Sequence, residues 1–322
     1  MTKPGSESPV CPICQTRKFL TPFYSGITTW EYPGQFSYLR CSRCGLILQS
    51  PRVPLSQIGK FYKPSAYWGR DITRNFRYPH YLSERQKHYG PVYEGITLRK
   101  SPGRILDVGS GLGLFLSLFK EKGWEVLGTE TNKEVAVFSQ KTFSVPVRLG
   151  DLTRMDLPKN YYDVITFIGV FEHIYNPDET LDKVRTLLRQ DGLLIIVPPN
   201  IESLGHFIFK SRWYSLEPGR HLYLYSPKTL TRLLHDHGFK VETISHAHWV
   251  YNTYSLFLNL RYYFSPRPAA SSVPASAASA SPKFSLVREF GKPLAHLLSY
   301  LGAFIEPLIG RGESMIVYAR KT

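Results

Sequence analysis

Residues 104–114, RILDVGSGLGL, decide the fold of this 322-residue chain. The apolar run around Asp107 predicts a buried β-strand, and the alternating glycines that follow predict a tight turn into a helix. A dinucleotide-binding turn would need its third glycine at position 114, which is Leu114. A carboxylate directly before the turn would repel phosphates and suit a cationic group. The turn is therefore predicted to hold the amino acid part of a ligand rather than a pyrophosphate.

Strands and helices alternate from this turn onward. Strands are predicted at Arg104–Val108, Glu125–Thr129, Val147–Leu149, Asp163–Ile168, Leu193–Val197, Lys240–Ile244 and Ser314–Ala319, and helices at Leu112–Lys122 and Lys133–Thr142 and after Pro177 and Pro227. Asn176 precedes the first of these prolines as the expected helix cap. The alternation indicates an α/β fold in which a parallel sheet carries helices on both faces.

Three acids stand at or near the ends of successive predicted strands. Glu130 follows the second strand, where an acid can accept hydrogen bonds from both hydroxyls of a ribose. Asp151 follows the third strand and is a candidate partner for the exocyclic amine of adenine. A single acid of this kind is more often a surface residue than a ligand. Together with Asp107 they predict one nucleoside site at the carboxyl edge of the sheet.

All four cysteines lie in the first 44 residues, as the pairs Cys11/Cys14 and Cys41/Cys44 with 26 residues between them. Two C-x2-C pairs give four thiolates, the tetrahedral ligand set of a zinc ribbon. Four protein ligands leave no position for water, so the metal would be structural rather than catalytic. The sequence therefore predicts a structural Zn²⁺ in a small ribbon at residues 1–55.

Four stretches in the same order resemble class I S-adenosylmethionine-dependent methyltransferases. They are RILDVGSGLG (104–113), VLGTETN (126–132), RLGDL (148–152) and YYDVITFIGVFEHIYNP (161–177). The resemblance implies a Rossmann-like, seven-stranded, mostly parallel sheet, closed by an antiparallel strand in ESMIVYARK (313–321). It also implies S-adenosyl-L-methionine as the cofactor. The implied cofactor-binding residues are Asp107, Gly109, Ser110, Gly111, Gly113, Glu130, Thr131, Asp151, Leu152, Ile168, Tyr78 and Tyr81.

A narrower resemblance joins the two cysteine pairs to GRHLYLYSPKTLTRLLHDHGF (219–239). This combination is similar to a zinc-ribbon subgroup that includes sugar C-methyltransferases. His221 and His173 are the candidate catalytic bases. His221 matches the catalytic histidine position of the sugar C-methyltransferases, and the wider family resemblance implies that the segment around His173, after the fourth strand, lines the site. The subgroup typically has Tyr-x-Glu-His where this chain has Pro218-Gly219-Arg220-His221, so the two supporting groups are absent from the motif. The implied acceptor is a sugar, a nucleotide-sugar, or a glycolipid or secondary-metabolite precursor.

The net charge of +15 is concentrated in the two flanks of the chain. Residues 1–100 hold 15 Lys/Arg against 5 Asp/Glu, whereas residues 101–200 hold 11 against 13. Such an excess suits an anionic small-molecule substrate, nucleic acid or peripheral contact with an acidic membrane surface. An RNA methyltransferase with a zinc-binding recognition module is the alternative enzyme. A non-enzymatic adaptor acting through residues 284–308 is the third interpretation.

The predicted organisation has three parts. A zinc ribbon (1–55) precedes a helical connector over the active site (56–100) and a methyltransferase domain (101–322). Residues 265–283 are almost entirely Ser, Ala and Pro, which predicts a flexible insertion. No uninterrupted apolar run reaches the roughly 18 residues of a transmembrane helix. Because the first ten residues also lack the apolar core of a signal peptide, we expect a cytoplasmic protein.

Overall fold

The computed structural model of the protein describes residues 8–28, 35–58, 78–246, 258–260, 263 and 304–322, without the side chains of 78–84. The predicted insertion at 265–283 lies outside these residues, as does most of 284–308. The chain forms two compact units. The first contains Met1–Tyr67, Pro199–Thr229 and Trp249–Ser314, and the second contains Trp68–Pro198, Leu230–His248 and Met315–Thr322. The three-part linear division made from the sequence stays a prediction.

The strands are β1 (Leu20–Ile27), β2 (Phe36–Cys41), β3 (Ile47–Gln49), β4 (Arg104–Val108), β5 (Glu125–Glu130), β6 (Val147–Leu149), β7 (Tyr162–Ile168), β8 (Leu188–Val197), β9 (Tyr223–Leu224), β10 (Phe239–Ser245) and β11 (Ile316–Lys321). The helices are α1 (Leu55–Ile58), α2 (Tyr78–Thr97), α3 (Leu114–Lys120), α4 (Lys133–Phe143), α5 (Pro177–Leu187), α6 (Leu204–Phe209) and α7 (Pro227–Asp236). Across the described ranges, no helix is long and apolar enough to cross a bilayer.

The second unit is built on a seven-stranded sheet with the order β10-β11-β8-β7-β4-β5-β6. Strand β11 is antiparallel to both of its neighbours, and the pairs from β8 to β6 are parallel. This confirms the Rossmann-like, mostly parallel seven-stranded sheet. Strand β8 begins at Leu188 rather than at the predicted Leu193. Residues Arg189–Asp191 near its start are polar and exposed, so the apolar pattern of the sequence marks only the buried part of the strand.

Helices cover both faces of this sheet. Ile105 and Leu106 are adjacent on β4 and fully buried, as expected of a central parallel strand. Val92 of α2 and Phe115 of α3 pack in one cluster with Ile105. Because neighbouring strand residues point to opposite faces, Leu106 faces the other layer. Helix α5 contacts β8 and buries Leu181 completely.

The start of α5 differs in one detail from the expectation. Pro177 occupies the first turn as predicted, but the Asn176 side chain makes no capping hydrogen bond to the helix backbone. Its amide nitrogen instead donates to Glu179 Oε2 at 3.4 Å. The fixed φ of proline therefore starts this helix without a side-chain cap.

The first unit contains a four-stranded sheet with the order β1-β2-β3-β9. All three pairs are antiparallel, and β9 comes from a part of the chain far beyond the cysteine pairs. Trp213 and Tyr38 are fully buried in the core of this unit. The indole Nε1 of Trp213 donates to Glu313 Oε2 at 2.6 Å. Residues 199–229 thus complete the sheet that the cysteine-rich segment begins.

We expect Leu181→Ala to lower the free energy of unfolding by about 2–5 kcal/mol, since it opens a cavity in a fully buried position. Denaturant titration followed by circular dichroism measures the change. The matched control is Leu98→Ala, because Leu98 is 83% exposed and should change stability little. Equal effects of the two substitutions would contradict the packing described for α5.

Candidate functional site

The glycine turn lies between β4 and α3 in the second unit. Gly109, Gly111 and Gly113 all have left-handed φ values, of 71°, 52° and 76°. A Cβ on Gly109 would lie 2.6 Å from Val170 Cγ2, and one on Gly113 would collide with Ser139 Oγ. The backbone amide of Ser110, which is buried, donates to the carbonyl oxygen of Thr129 at 2.9 Å. Side chains are therefore excluded from a turn whose shape is fixed by hydrogen bonds to β5.

Asp107 is buried beneath this turn, with 3% of its surface exposed. Its Oδ1 accepts a hydrogen bond of 2.6 Å from Thr166 Oγ1 on the neighbouring strand β7. Burial raises the pKa of Asp107 to about 7; the Thr166 hydrogen bond opposes this shift and the nearby charge of Glu130 adds to it. A cation brought to this carboxylate would favour its ionised form.

Glu130 ends β5 and is held by backbone amides. Its Oε1 accepts from the amides of Thr131 at 2.7 Å and Asn132 at 2.9 Å, and its Oε2 accepts from Gly111 at 3.1 Å. A carboxylate has about four acceptor positions, so capacity is left on Oε2. This side chain therefore links β5 to the glycine turn while retaining an acceptor for a ligand.

The remaining predicted cofactor contacts follow β6 and β7. Asp151 is exposed and begins the 3-10 turn Leu152–Arg154, where its Oδ1 accepts from the amide of Thr153 at 2.8 Å. Leu152 is buried and Ile168, the last residue of β7, is half-buried. Capping alone accounts for the orientation of Asp151, and its part in adenine binding stays a prediction.

Helix α2 carries the predicted tyrosines. Tyr78 and Tyr81 lie in its first turns, and their side chains lie outside the described residues. Tyr89, two turns further along, lies with its ring centroid 5.5 Å from that of Phe115. Burial and the charge of Asp107 both raise the pKa of the Tyr89 hydroxyl, so Tyr89 is neutral near neutral pH. Tyr89 is thus close enough to Asp107 for the charge of that carboxylate to raise the pKa of the Tyr89 hydroxyl.

His173 lies in a 3-10 turn, Phe171–His173, that follows β7. Its ring is half-buried, and its Nε2 lies 4.0 Å from Oε1 of the buried Glu172. The turn places a titratable pair at the carboxyl edge of the sheet, beyond β7. A role for His173 in catalysis stays a prediction.

His221 lies in the first unit, on a loop just before β9, and only 4% of its surface is exposed. Its Nδ1 lies 2.8 Å from the carbonyl oxygen of Ser215, which requires the proton to be on Nδ1. Nε2 therefore carries the lone pair. Burial, followed by the charge of Arg220, lowers the pKa of His221 to about 3. The ring is neutral near neutral pH.

A carboxylate lies beside this histidine, although the four-residue motif that ends at His221 contains no acid. Glu217 Oε2 lies 3.5 Å from His221 Nε2 and 2.8 Å from the guanidinium of Arg220. The subgroup pattern has its glutamate directly before the histidine, whereas this chain supplies one four residues earlier. The acid beside His221 therefore comes from outside the motif that the subgroup shares. A proton arriving on Nε2 would be stabilised by Glu217.

The cysteine-rich sheet anchors the His221 loop. Gln49, at the end of β3, accepts from the amide of Gly219 at 2.8 Å. The hydroxyl of Tyr38 on β2 donates to the carbonyl oxygen of Leu216 at 2.9 Å and lies 3.3 Å from that of His221. Both Gln49 and Tyr38 are fully buried. The position of His221 thus depends on residues that precede it by more than 170 positions.

The four cysteine sulfurs lie close together in the first unit. The Sγ atoms of Cys11, Cys14, Cys41 and Cys44 all lie within 4.8 Å of one another, and none forms a disulfide. The Cys11 and Cys44 sulfurs are 3.6 Å apart. Four ligands at about 2.3 Å from a tetrahedral zinc would be separated by a similar distance. Burial, with the neighbouring thiols, raises the pKa of Cys14 to about 11, so thiolates at this point need a cation.

Two residues that support the site, Thr166 and Glu217, are not predicted from the sequence. Thr166 lies in a predicted strand, where a lone hydroxyl among apolar residues is itself a signal of a buried polar partner. Glu217 precedes a Pro-Gly pair, and its approach to His221 depends on its own left-handed φ of 36°. No periodicity predicts that turn.

A methyltransferase domain family matches residues 74–244, just over half of the chain. This match covers the glycine turn, Asp107 and Glu130. The chain therefore belongs to this family of methyltransferase domains.

Curated relatives match the same region. A ubiquinone biosynthesis O-methyltransferase of Aeromonas salmonicida is 28% identical over 154 residues, covering 45% of this chain and 61% of the relative. A probable (S)-tetrahydroprotoberberine N-methyltransferase 2 of Papaver bracteatum is 30% identical over 162 residues, covering 46% and 43%. The chain thus spans about half the length of the curated relatives it matches. A solved methyltransferase structure from Archaeoglobus fulgidus, 22% identical, aligns over 76% of this chain and 100% of its own with a TM-score of 0.48.

We expect the affinity for S-adenosylmethionine to rise with pH through about 7. Asp107 is protonated below this pKa and ionised above it, and only the carboxylate attracts the cofactor's cationic amino group. Below the pKa the affinity should fall by up to about tenfold per pH unit. Calorimetric titration between pH 5.5 and 8.5, roughly one and a half units either side of the pKa, measures the profile.

Asp107→Asn should bind more weakly and show no such pH dependence. Thr166→Val should move the midpoint to higher pH, because it removes the hydrogen bond that opposes the effect of burial. A wild-type profile that is flat, or that Asp107→Asn leaves unchanged, would remove Asp107 from the cofactor site.

Proposed function

We propose that this protein transfers the methyl group of S-adenosylmethionine to a small anionic acceptor, a sugar, nucleotide-sugar or related precursor. The observation that carries the proposal is the Glu217–His221 pair, held on a loop anchored by the cysteine-rich sheet. The names of the curated relatives, which concern ubiquinone and an alkaloid, support a small acceptor. The excess of positive charge in the flanks supports an anionic one.

The cofactor is assigned to the carboxyl edge of the sheet in the second unit. Gly109 and Gly113 allow the tight turn at this edge, because a Cβ at either position would collide with Val170 or Ser139. Asp107 is assigned to the amino acid end, and Glu130 to the ribose through its spare acceptor capacity. When bound, S-adenosylmethionine supplies an electrophilic methyl group on a sulfonium.

His221 is assigned as the general base. Because Nδ1 donates to Ser215, Nε2 carries the lone pair of the ring. The resting imidazole is a weak base, since burial lowers its pKa to about 3. Glu217, whose Oε2 lies 3.5 Å from Nε2, is a positioning residue whose charge would stabilise the ring as Nε2 takes a proton from the acceptor. General bases of this kind typically accelerate a reaction by about 10²–10⁴-fold.

Cys11, Cys14, Cys41 and Cys44 are assigned to a structural zinc ion. Four buried or half-buried sulfurs within 4.8 Å of one another fit a tetrahedral thiolate site better than four free thiols. Because Cys41 ends β2, whose Tyr38 supports the His221 loop, the metal would also stabilise that loop.

The proposed acceptor class is tested by transfer of a labelled methyl group from S-adenosylmethionine to separated cell pools. The zinc-loaded protein should label the nucleotide-sugar and glycolipid precursor pools and leave total RNA unlabelled. Labelling of RNA instead would favour the alternative enzyme, a zinc-containing RNA methyltransferase, and would overturn the proposal.

We expect His221→Asn to bind S-adenosylmethionine normally and to lose about 10²–10⁴-fold in turnover of the labelled acceptor. Glu217→Gln should lose less and shift the pH–rate profile, because it removes only the charge that stabilises the protonated ring. The matched control is His235→Asn, an exposed histidine of α7 that should leave turnover unchanged. Full turnover in His221→Asn would exclude this residue as the base.

The protein should contain one zinc per chain by elemental mass spectrometry. Cys41→Ser, or treatment with a strong chelator, should melt the four-stranded sheet and lower turnover, because metal binding supplies folding free energy. Ser42→Ala, an exposed neighbour that offers no thiolate, serves as the control. Full metal loss with an unchanged unfolding transition would contradict the assignment.

A further inference from the structure

The first unit contains a cavity of about 520 Å³ beside the second cysteine pair. One wall is formed by Arg40 on β2 and by Ser42–Gly45. The other walls are formed by α6 together with the residues on either side of it, and by the first turn of α7. Its size lies within the usual range of small-molecule sites, about 300–1,000 Å³. All of its lining residues belong to the first unit. The residues assigned to the cofactor belong to the second unit.

The lining is strongly basic. Among the described residues five cationic side chains line it, and the groups that can oppose them are the Glu202 carboxylate and the Cys44 sulfur; the cations are Arg40, Arg43, Lys210, Lys228 and Arg311. All five are exposed, and within the described part of the chain none forms an ion pair with an acid. Other arginines of the protein do, as in the pair of Arg85 with Glu121 at 2.7 Å. Five cations around one concavity produce a positive potential that is focused into it.

Neutral hydrogen-bonding groups complete the lining. Ser226 and Thr229 cap the ten-residue helix α7, so its first turn, where the helix dipole is positive, faces the cavity. His206 pairs its Nε2 with the hydroxyl of Tyr24 at 3.0 Å. Burial lowers the pKa of His206 to about 4, so it contributes hydrogen-bonding capacity rather than charge. This mixture of fixed cations, hydroxyls and a helix start is typical of phosphate recognition.

We propose that this cavity binds the diphosphate group of a small phosphorylated molecule. Three arginines offer planar forks that match pairs of phosphate oxygens, and two lysines add mobile point charges. Five cations exceed what one phosphate needs, which favours a diphosphate over a monophosphate. The inference that the cavity binds a diphosphate is independent of the proposed function. The further step, that this diphosphate belongs to the methyl acceptor, rests on the proposed function.

The test is calorimetric titration of the full-length, zinc-loaded protein with inorganic pyrophosphate at low salt and without S-adenosylmethionine. Wild-type protein should bind one equivalent. Arg40→Gln, Lys228→Gln and Arg311→Gln should each weaken binding by about three- to tenfold, since each removes one charge-assisted contact. The matched control is Lys122→Gln, an exposed lysine of the second unit, which should bind like wild type. Circular dichroism verifies the folding of each variant.

Three results would overturn the inference. The first is the absence of saturable binding by wild-type protein. The second is an equal loss of affinity in Lys122→Gln, which would indicate general electrostatic attraction. The third is orthophosphate, or a single-stranded oligonucleotide, binding as tightly as pyrophosphate with the same dependence on the variants. Pyrophosphate binding without any methyl transfer to nucleotide-sugars would contradict only the proposed function. Methyl transfer without pyrophosphate binding would contradict only this inference.

Discussion

A carboxylate buried under a glycine turn is the constraint around which the second unit is arranged. Asp107 is shielded from water at the centre of a parallel sheet, and its hydroxyl partner, Thr166, comes from the next strand. An unpaired acid at this depth would cost several kcal/mol. The register of β4 against β7, which aligns Asp107 with Thr166, is therefore fixed by polar as well as apolar contacts. A one-residue shift would bury the acid without its partner.

The first unit depends on a different feature, the pairing of strands that are remote in sequence. Strand β3 follows the second cysteine pair, and β9 follows His221, yet the two are hydrogen-bonded neighbours. Gln49 and Tyr38 extend this pairing to the loop between Leu216 and His221. The cysteine cluster, the four-stranded sheet and the candidate base thus belong to one connected set of contacts. The same unit contains the basic cavity, whose cations come from three separate segments of the chain, residues 40–43, 210–228 and 311.

The sequence predicted the local and periodic features well. The bounds of β4 and β6 were correct to the residue, because each lies between clear turn signals. The four cysteines were brought together as their spacing indicated. Features that depend on tertiary contact were missed. Glu217 approaches His221 only through a left-handed turn, and the five cations of the basic cavity are dispersed over more than 270 positions. Neither periodicity nor spacing encodes such approaches.

The pairing of β3 with β9 also has a consequence for how this protein can be divided. The cysteine-rich segment resembles an N-terminal module, yet its sheet takes its fourth strand from residues 223–224. Cutting the chain after α1 would remove β1 to β3 and leave Tyr223 and Leu224 as an unpaired edge. It would also uncover apolar side chains such as Trp213, which is 1% exposed in the intact unit. Exposed edges and apolar surface of this kind promote aggregation. Exchange of ribbons between related enzymes would therefore have to carry the remote strand along with the cysteines.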